Sequence, residues 1–204
     1  MRTATGAVFL LLGLFLVPGE APYPDPARAR QELESGWGIR VRGAVLLQDW
    51  AHLLLFARTH RPSETRGLIF EFAAQRGDSQ GNLGEWNDFD GTATIRGTRA
   101  DTVFHEGTHH VLEFAGNDRG RRIGAMIVAA ARRAGNGRIP LSCVTRAYAL
   151  RGVASQDHGE FLAELITGLA CVELGIPGGI TLVNPSFDPP EEVRRLVRAL
   201  WTPP

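Results

Sequence analysis

The segment HEGTHH, residues 105–110, constrains this chain more than any other. His105 and His109 stand four residues apart, so on an α-helix they lie one above the other on the same face. Two imidazoles placed that way can share one zinc ion, and Glu106 can reach a water in an open coordination position. The flanking residues carry helix signals. Thr98 and Asp101 suit the N-cap and first turn, and Val103, Phe104, Val111, Leu112, Phe114 and Ala115 supply apolar faces. Gly116 is a stop signal. The bland alternative is a helix whose histidines bind nothing, and the rest of the chain has to decide between the two.

A catalytic zinc takes three protein ligands and keeps one position for water. Downstream of the pair the candidates are His110, Glu113, Asp118, Asp157, His158, Glu160 and Glu164. His110 points about a third of a turn away from His109. Glu113 is in line with the pair, and three ligands in one row cannot surround a tetrahedral ion. The residues after the motif, VLEFAGNDRG, lack the third histidine that a metzincin needs. The segment HGEFLAE instead places Glu160 and Glu164 four apart on one face of a predicted helix. One can bind zinc while the other accepts the free N–H of a zinc-bound histidine, which fixes its tautomer. Glu160 is the preferred ligand and His158 its competitor. An acidic pair on a solvated helix face is the bland reading of the same residues.

The chain has 204 residues and a formal net charge of zero, with arginine as its only strongly basic residue. That length suffices for one sizeable core, and the charge gives no reason to expect a nucleic acid or an anionic membrane as partner. Residues 1–21 read as a signal peptide: Arg2 gives a positive start, Ala7 to Val17 are apolar, and Gly19 and Ala21 suit a signal peptidase. Secretion without stable membrane association follows, with an uncleaved anchor as the alternative. Cys143 and Cys171 can pair in a secreted chain or stand as buried thiols, and the sequence leaves both open.

Residues 22–37 read as a tail and short helix, with Ala27 to Glu34 helical and Gly36 and Gly38 as breakers. Residues 38–204 form the main domain. A strand is expected from Gly38 to Leu47, then a helix opened by Asp49. Gly67 to Ala73 alternates Leu68, Phe70 and Phe72 as a strand with one buried face. Gly77 to Asp90 reads as loop, Thr92 to Arg96 as a strand leading into the motif helix. Helices are expected over Arg121 to Arg133, Leu141 to Leu150, His158 to Leu174 and Pro189 to Trp201, the last with Asp188 as cap. A small sheet followed by helices is an α+β layout of the zincin-like kind.

The arrangement HExxH is that of zinc metallopeptidases. HEGTHH followed much later by EFLAE resembles the catalytic domain of anthrax lethal factor and the secreted Pro-Pro endopeptidases, gluzincins with a distant glutamate in an E-x-x-x-E helix. The resemblance covers roughly Gly38 to Leu174. It implies that His105, His109 and Glu160 bind Zn2+, that Glu106 is the general base, and that Glu164 supports a ligand. It also implies a tyrosine facing the reacting carbonyl, for which Tyr148 is the residue at hand. On this reading the chain is a secreted, monomeric zinc endopeptidase. Its protein or peptide substrate would lie extended along an edge strand, taken to be Gly67 to Ala73. The rival reading is a non-catalytic zinc-binding module of the same fold. An intact Glu106 speaks against it, because a module has no use for a base there.

Overall fold

A computed structural model describes residues 23–74, 83–97, 100–145, 158–176 and 184–201. The leader-like residues 1–21, Thr98 and Tyr148 lie outside the described residues.

Helix α1 (Pro26–Glu32) opens with Asp25, whose side chain accepts from Arg28 N at 2.8 Å, and with proline at its first position. It continues into a π-helical turn, Leu33–Trp37. Gly36 therefore does not break the helix. Gly38 does, at φ 65°, a conformation open to glycine at little cost. Ala29 and Leu33 are fully buried, so this segment belongs to the main core rather than trailing from it.

The sheet comprises β1 (Arg40–Gly43), β2 (Ile69–Phe72), β3 (Gly84–Asn87) and β4 (Thr92–Ile95) in the order β1-β2-β4-β3. β1, β2 and β4 run parallel, and β3 is antiparallel to β4. Between β1 and β2 come α2 (Leu47–Thr59) and the single turn α3 (Pro62–Thr65). Asp49 does help to open α2, although from its third position, where its carboxylate accepts from Leu46 N at 3.2 Å. The sheet corrects two expectations. The strand in Gly67 to Ala73 is not an edge: β2 lies between β1 and β4, with Ile69, Phe70 and Phe72 all buried. And the stretch expected to be loop contains β3, which forms the edge on the far side of β4.

Helix α4 (Ala100–Glu113) carries the HEGTHH segment and packs on α2, β3 and β4. Phe56 of α2 meets Phe70 and Phe104 edge-on, at centroid separations of 5.7 and 5.4 Å. Gly107 makes this approach possible, because a Cβ there would sit 2.4 Å from Phe56 Cζ. Gly116, at φ 101°, ends the α4 turn region as expected.

Helices α5 (Asp118–Ala134), α6 (Gly159–Glu173) and α7 (Glu191–Arg198) follow, with α6 packed on α4. Leu141–Cys143 is a 3-10 turn rather than the start of a regular helix, and residues 146–150 lie outside the described residues. Helix α7 begins two residues later than expected. Asp188 is not its cap but pairs with Arg194 at 2.6 Å, since neither Pro189 nor Pro190 offers an N–H to accept from. Glu173 at the end of α6 ties α7 down through Arg194 and Arg198. Cys143 and Cys171 are not joined in a disulfide, and burial pushes the Cys143 thiol up to about 11. The architecture is α+β with a small mixed sheet. Among the described residues no helix is long and apolar enough to cross a membrane.

Candidate metal centre

The interface of α4 and α6 brings His105, His109 and Glu160 together. His105 Nε2 lies 3.2 Å from Glu160 Oε1, and His109 Nε2 lies 3.4 Å from Glu160 Oε2. The two Nε2 atoms are 3.3 Å apart. Two ligands about 2.0–2.1 Å from one tetrahedral ion are themselves separated by roughly 3.3–3.4 Å. The observed separations of 3.2, 3.3 and 3.4 Å lie close to that value, with Glu160 meeting His105 through Oε1 and His109 through Oε2, and two imidazoles with a carboxylate are a donor set whose chemistry suits zinc.

The opposite ring nitrogens explain why the Nε2 atoms converge. His109 Nδ1 donates to Glu113 Oε1 at 2.8 Å. A carboxylate only accepts, so Nδ1 carries a proton, and in the metal-free protein the hydrogen bond to Glu160 calls for a second proton on Nε2. His105 Nδ1 faces Glu164 Oε1 at 3.7 Å, the same orientation at longer range. Three lone-pair atoms pointed at one spot repel one another unless a cation or a proton sits among them. The titration of His109 expresses that demand. Burial alone would lower it, but the hydrogen bonds to Glu113 and Glu160 override burial and lift it to about 10. A bound metal ion would take the place of that proton.

Glu106 sits beside the cluster and is buried, with 6 % of its surface exposed. Burial pushes its carboxyl above the usual range, against the pull of His105 and His109, and Glu160 and Glu85 push the same way as burial. Its carboxylate tucks under the edge strand: a Cβ on Gly84 of β3 would lie 2.3 Å from Glu106 Oε1. A side chain at this position would require the Glu106 carboxylate to move.

Asp157 lies outside the described residues, and the other sequence candidates separate cleanly. His158, the rival ligand, directs Nε2 toward the Arg132 guanidinium at 3.3 Å and is not part of the cluster. Asp118 pairs with Arg121 at 2.5 Å. His110 is fully buried, stacked on Phe114 at 4.5 Å and edge-on to Trp86 at 5.3 Å. Burial holds it down at about 4. Two contributors escape a reading of the sequence. Glu113 is in line with the histidines and is no ligand, yet its spacing of four from His109 is itself the signal for a partner to Nδ1. Gly84 has no local signal, because its role depends on the strand that carries it across Glu106.

Comparison with protein-family models, with curated proteins and with solved structures finds no match to this chain. The functional reading therefore rests on the residues themselves.

Proposed function

We propose that this chain is a secreted zinc-dependent endopeptidase with a zincin-like active site on α4 and α6. The observation that carries the reading is the set of three Nε2 and carboxylate separations of 3.2, 3.3 and 3.4 Å, with a buried carboxyl next to them. His105, His109 and Glu160 would hold the ion. When bound, zinc supplies Lewis-acid polarisation of a carbonyl and lowers the pKa of water. Glu106 takes the proton of the attacking water and delivers it to the departing amine. Burial suits it to both steps, because a carboxyl with a raised pKa takes up a proton more readily than an exposed one and still gives it back. Glu113 keeps a ring proton of His109 on Nδ1, and Glu164 faces the same nitrogen of His105 at 3.7 Å. Tyr148 remains the sequence candidate for hydrogen bonding to the developing oxyanion.

The substrate backbone would pair with β3, the edge strand beside Glu106, and not with the interior strand expected from the sequence. The resemblance of HEGTHH and EFLAE to the lethal factor and Pro-Pro endopeptidase families points to the same chemistry.

The test is incubation of wild type and Glu106→Gln with a random peptide library, read by mass spectrometry. Cleavage by wild type, reduced roughly 10²–10⁴-fold in a variant that still binds zinc, is the expected result. A zinc-loaded wild type that cleaves nothing favours the binding-module reading instead.

A further inference from the structure

Glu164 turns one carboxylate oxygen toward His105 Nδ1, and a hydroxyl holds the other. Thr145, fully buried, donates its hydroxyl to Glu164 Oε2 at 2.5 Å, leaving Oε1 turned toward His105 Nδ1. The orientation of Thr145 is itself built into α6. Gly168 lies one turn beyond Glu164 on the same face, and a Cβ there would come within 2.5 Å of Thr145 Cγ2. The missing side chain makes room for the threonine methyl, so the hydroxyl is left to face the carboxylate. The backbone before Thr145 is anchored as well. Asn184 donates to the carbonyls of Leu141 and Val144 at 2.7 and 2.8 Å, and Asp188 N donates to Ser142 O at 2.9 Å. Phe187 closes over Gly168 from the same strap of chain.

We infer that Thr145 is a positioning residue of the metal centre, acting through Glu164 on His105; this rests on the reading of His105, His109 and Glu160 as a zinc site. A buried carboxylate with one oxygen held by a hydroxyl has a fixed direction for the other. His105 would then offer Nε2 to a bound ion with its ring orientation favoured. Removing the hydroxyl takes the threonine donor from Glu164 Oε2 and loosens its orientation.

The experiment is competitive zinc titration of the metal-free protein against a chromophoric chelator, with no substrate present. Thr145→Val keeps the shape and removes the hydroxyl, and it should weaken zinc binding about 10-fold, the lower end of what outer partners of zinc ligands contribute. Thr145→Ser restores the donor and should restore most of the affinity. In a Glu164→Ala background, Thr145→Val should change affinity by less than about 2-fold, because the residue acts only through that carboxylate. Thr145→Ala, which introduces no misfit, serves the same comparison should the valine variant fail to fold. Unchanged affinity in the valine or alanine variant overturns the inference while leaving the zinc site intact, as does a full additional loss in the Glu164→Ala background. A wild type that binds no zinc overturns both.

Discussion

His109 and His110 are neighbours in sequence and opposites in environment. His109 faces α6, with Glu113 on one ring nitrogen and Glu160 near the other, and it is lifted to about 10. His110 faces β3, wedged between Phe114 and Trp86, and is held at about 4. One helical step, about 100°, separates a position that attracts a cation from one that excludes it. Residue type says little about what a buried histidine does here, and the carboxylates in reach say nearly everything. His60 makes the same point. It is fully buried, gives Nδ1–H to Phe56 O at 2.9 Å, packs on Phe56, and is lowered by burial.

The contrast has a pH signature with two opposite signs. His110 has a folded pKa below its ordinary value of 6.5. Between about 4 and 6.5 the unfolded chain binds a proton there that the folded chain refuses, so this contribution is complete above pH 6.5 and is lost on acidification. The loss approaches roughly 3 kcal/mol. His109 behaves in reverse in the metal-free protein: its contribution is complete below pH 6.5 and is lost as pH climbs through about 10. Chemical denaturation of metal-free wild type and His110→Phe from pH 7 down to 4.5 checks the first half. The variant should lose less stability on acidification than wild type. Parallel curves would mean that His110 is not held neutral by its aromatic box.

The next largest effect concerns Gly84, on the boundary of the two faces. Gly84→Ala puts a methyl where the Glu106 carboxylate lies, so that carboxylate must move while His105, His109 and Glu160 are untouched. Peptide cleavage should fall about 100-fold, the scale of a 1 Å misplacement, with zinc affinity unchanged. Loss of zinc along with activity would show that β3 supports the whole site and not Glu106 alone.

Gly107→Ala probes the apolar side of the same helix. Its methyl would collide with Phe56, costing about 1–3 kcal/mol of stability by overpacking. Adding Phe56→Leu should recover part of that cost, and thermal melting of the single and double variants measures it. The smallest effect is expected from Glu113→Ala, which removes the acceptor of the His109 Nδ1 proton but no ligand. Zinc affinity should fall about 10-fold, and a loss as large as that of His109→Ala would mark Glu113 as a ligand.

The site is more legible in the sequence than the sheet. Helical spacing is local, so four-residue intervals alone put His105 over His109 and Glu160 over Glu164. Sheet order is not local. The alternation Leu68, Phe70, Phe72 announces a strand but not which strands flank it, and β2 is interior. β3 reads GEWN, with two residues disfavoured in strands, and exists because β4 pairs with it. Gly36 looks like a breaker because glycine weakens helices, yet it sits within a π-helical turn anchored by buried Leu33. Thr145 has no periodic pattern to reveal it, since its partner lies 19 residues away across the core.

We propose His105, His109 and Glu160, and not His158, as the residues that hold a zinc ion. Competitive titration of metal-free wild type, Glu160→Ala and His158→Ala with zinc tests this assignment most directly. One tightly bound zinc per chain is expected in wild type and in His158→Ala, with loss of most of that affinity in Glu160→Ala. Retention of zinc by Glu160→Ala together with its loss from His158→Ala would contradict the site and the peptidase reading built on it.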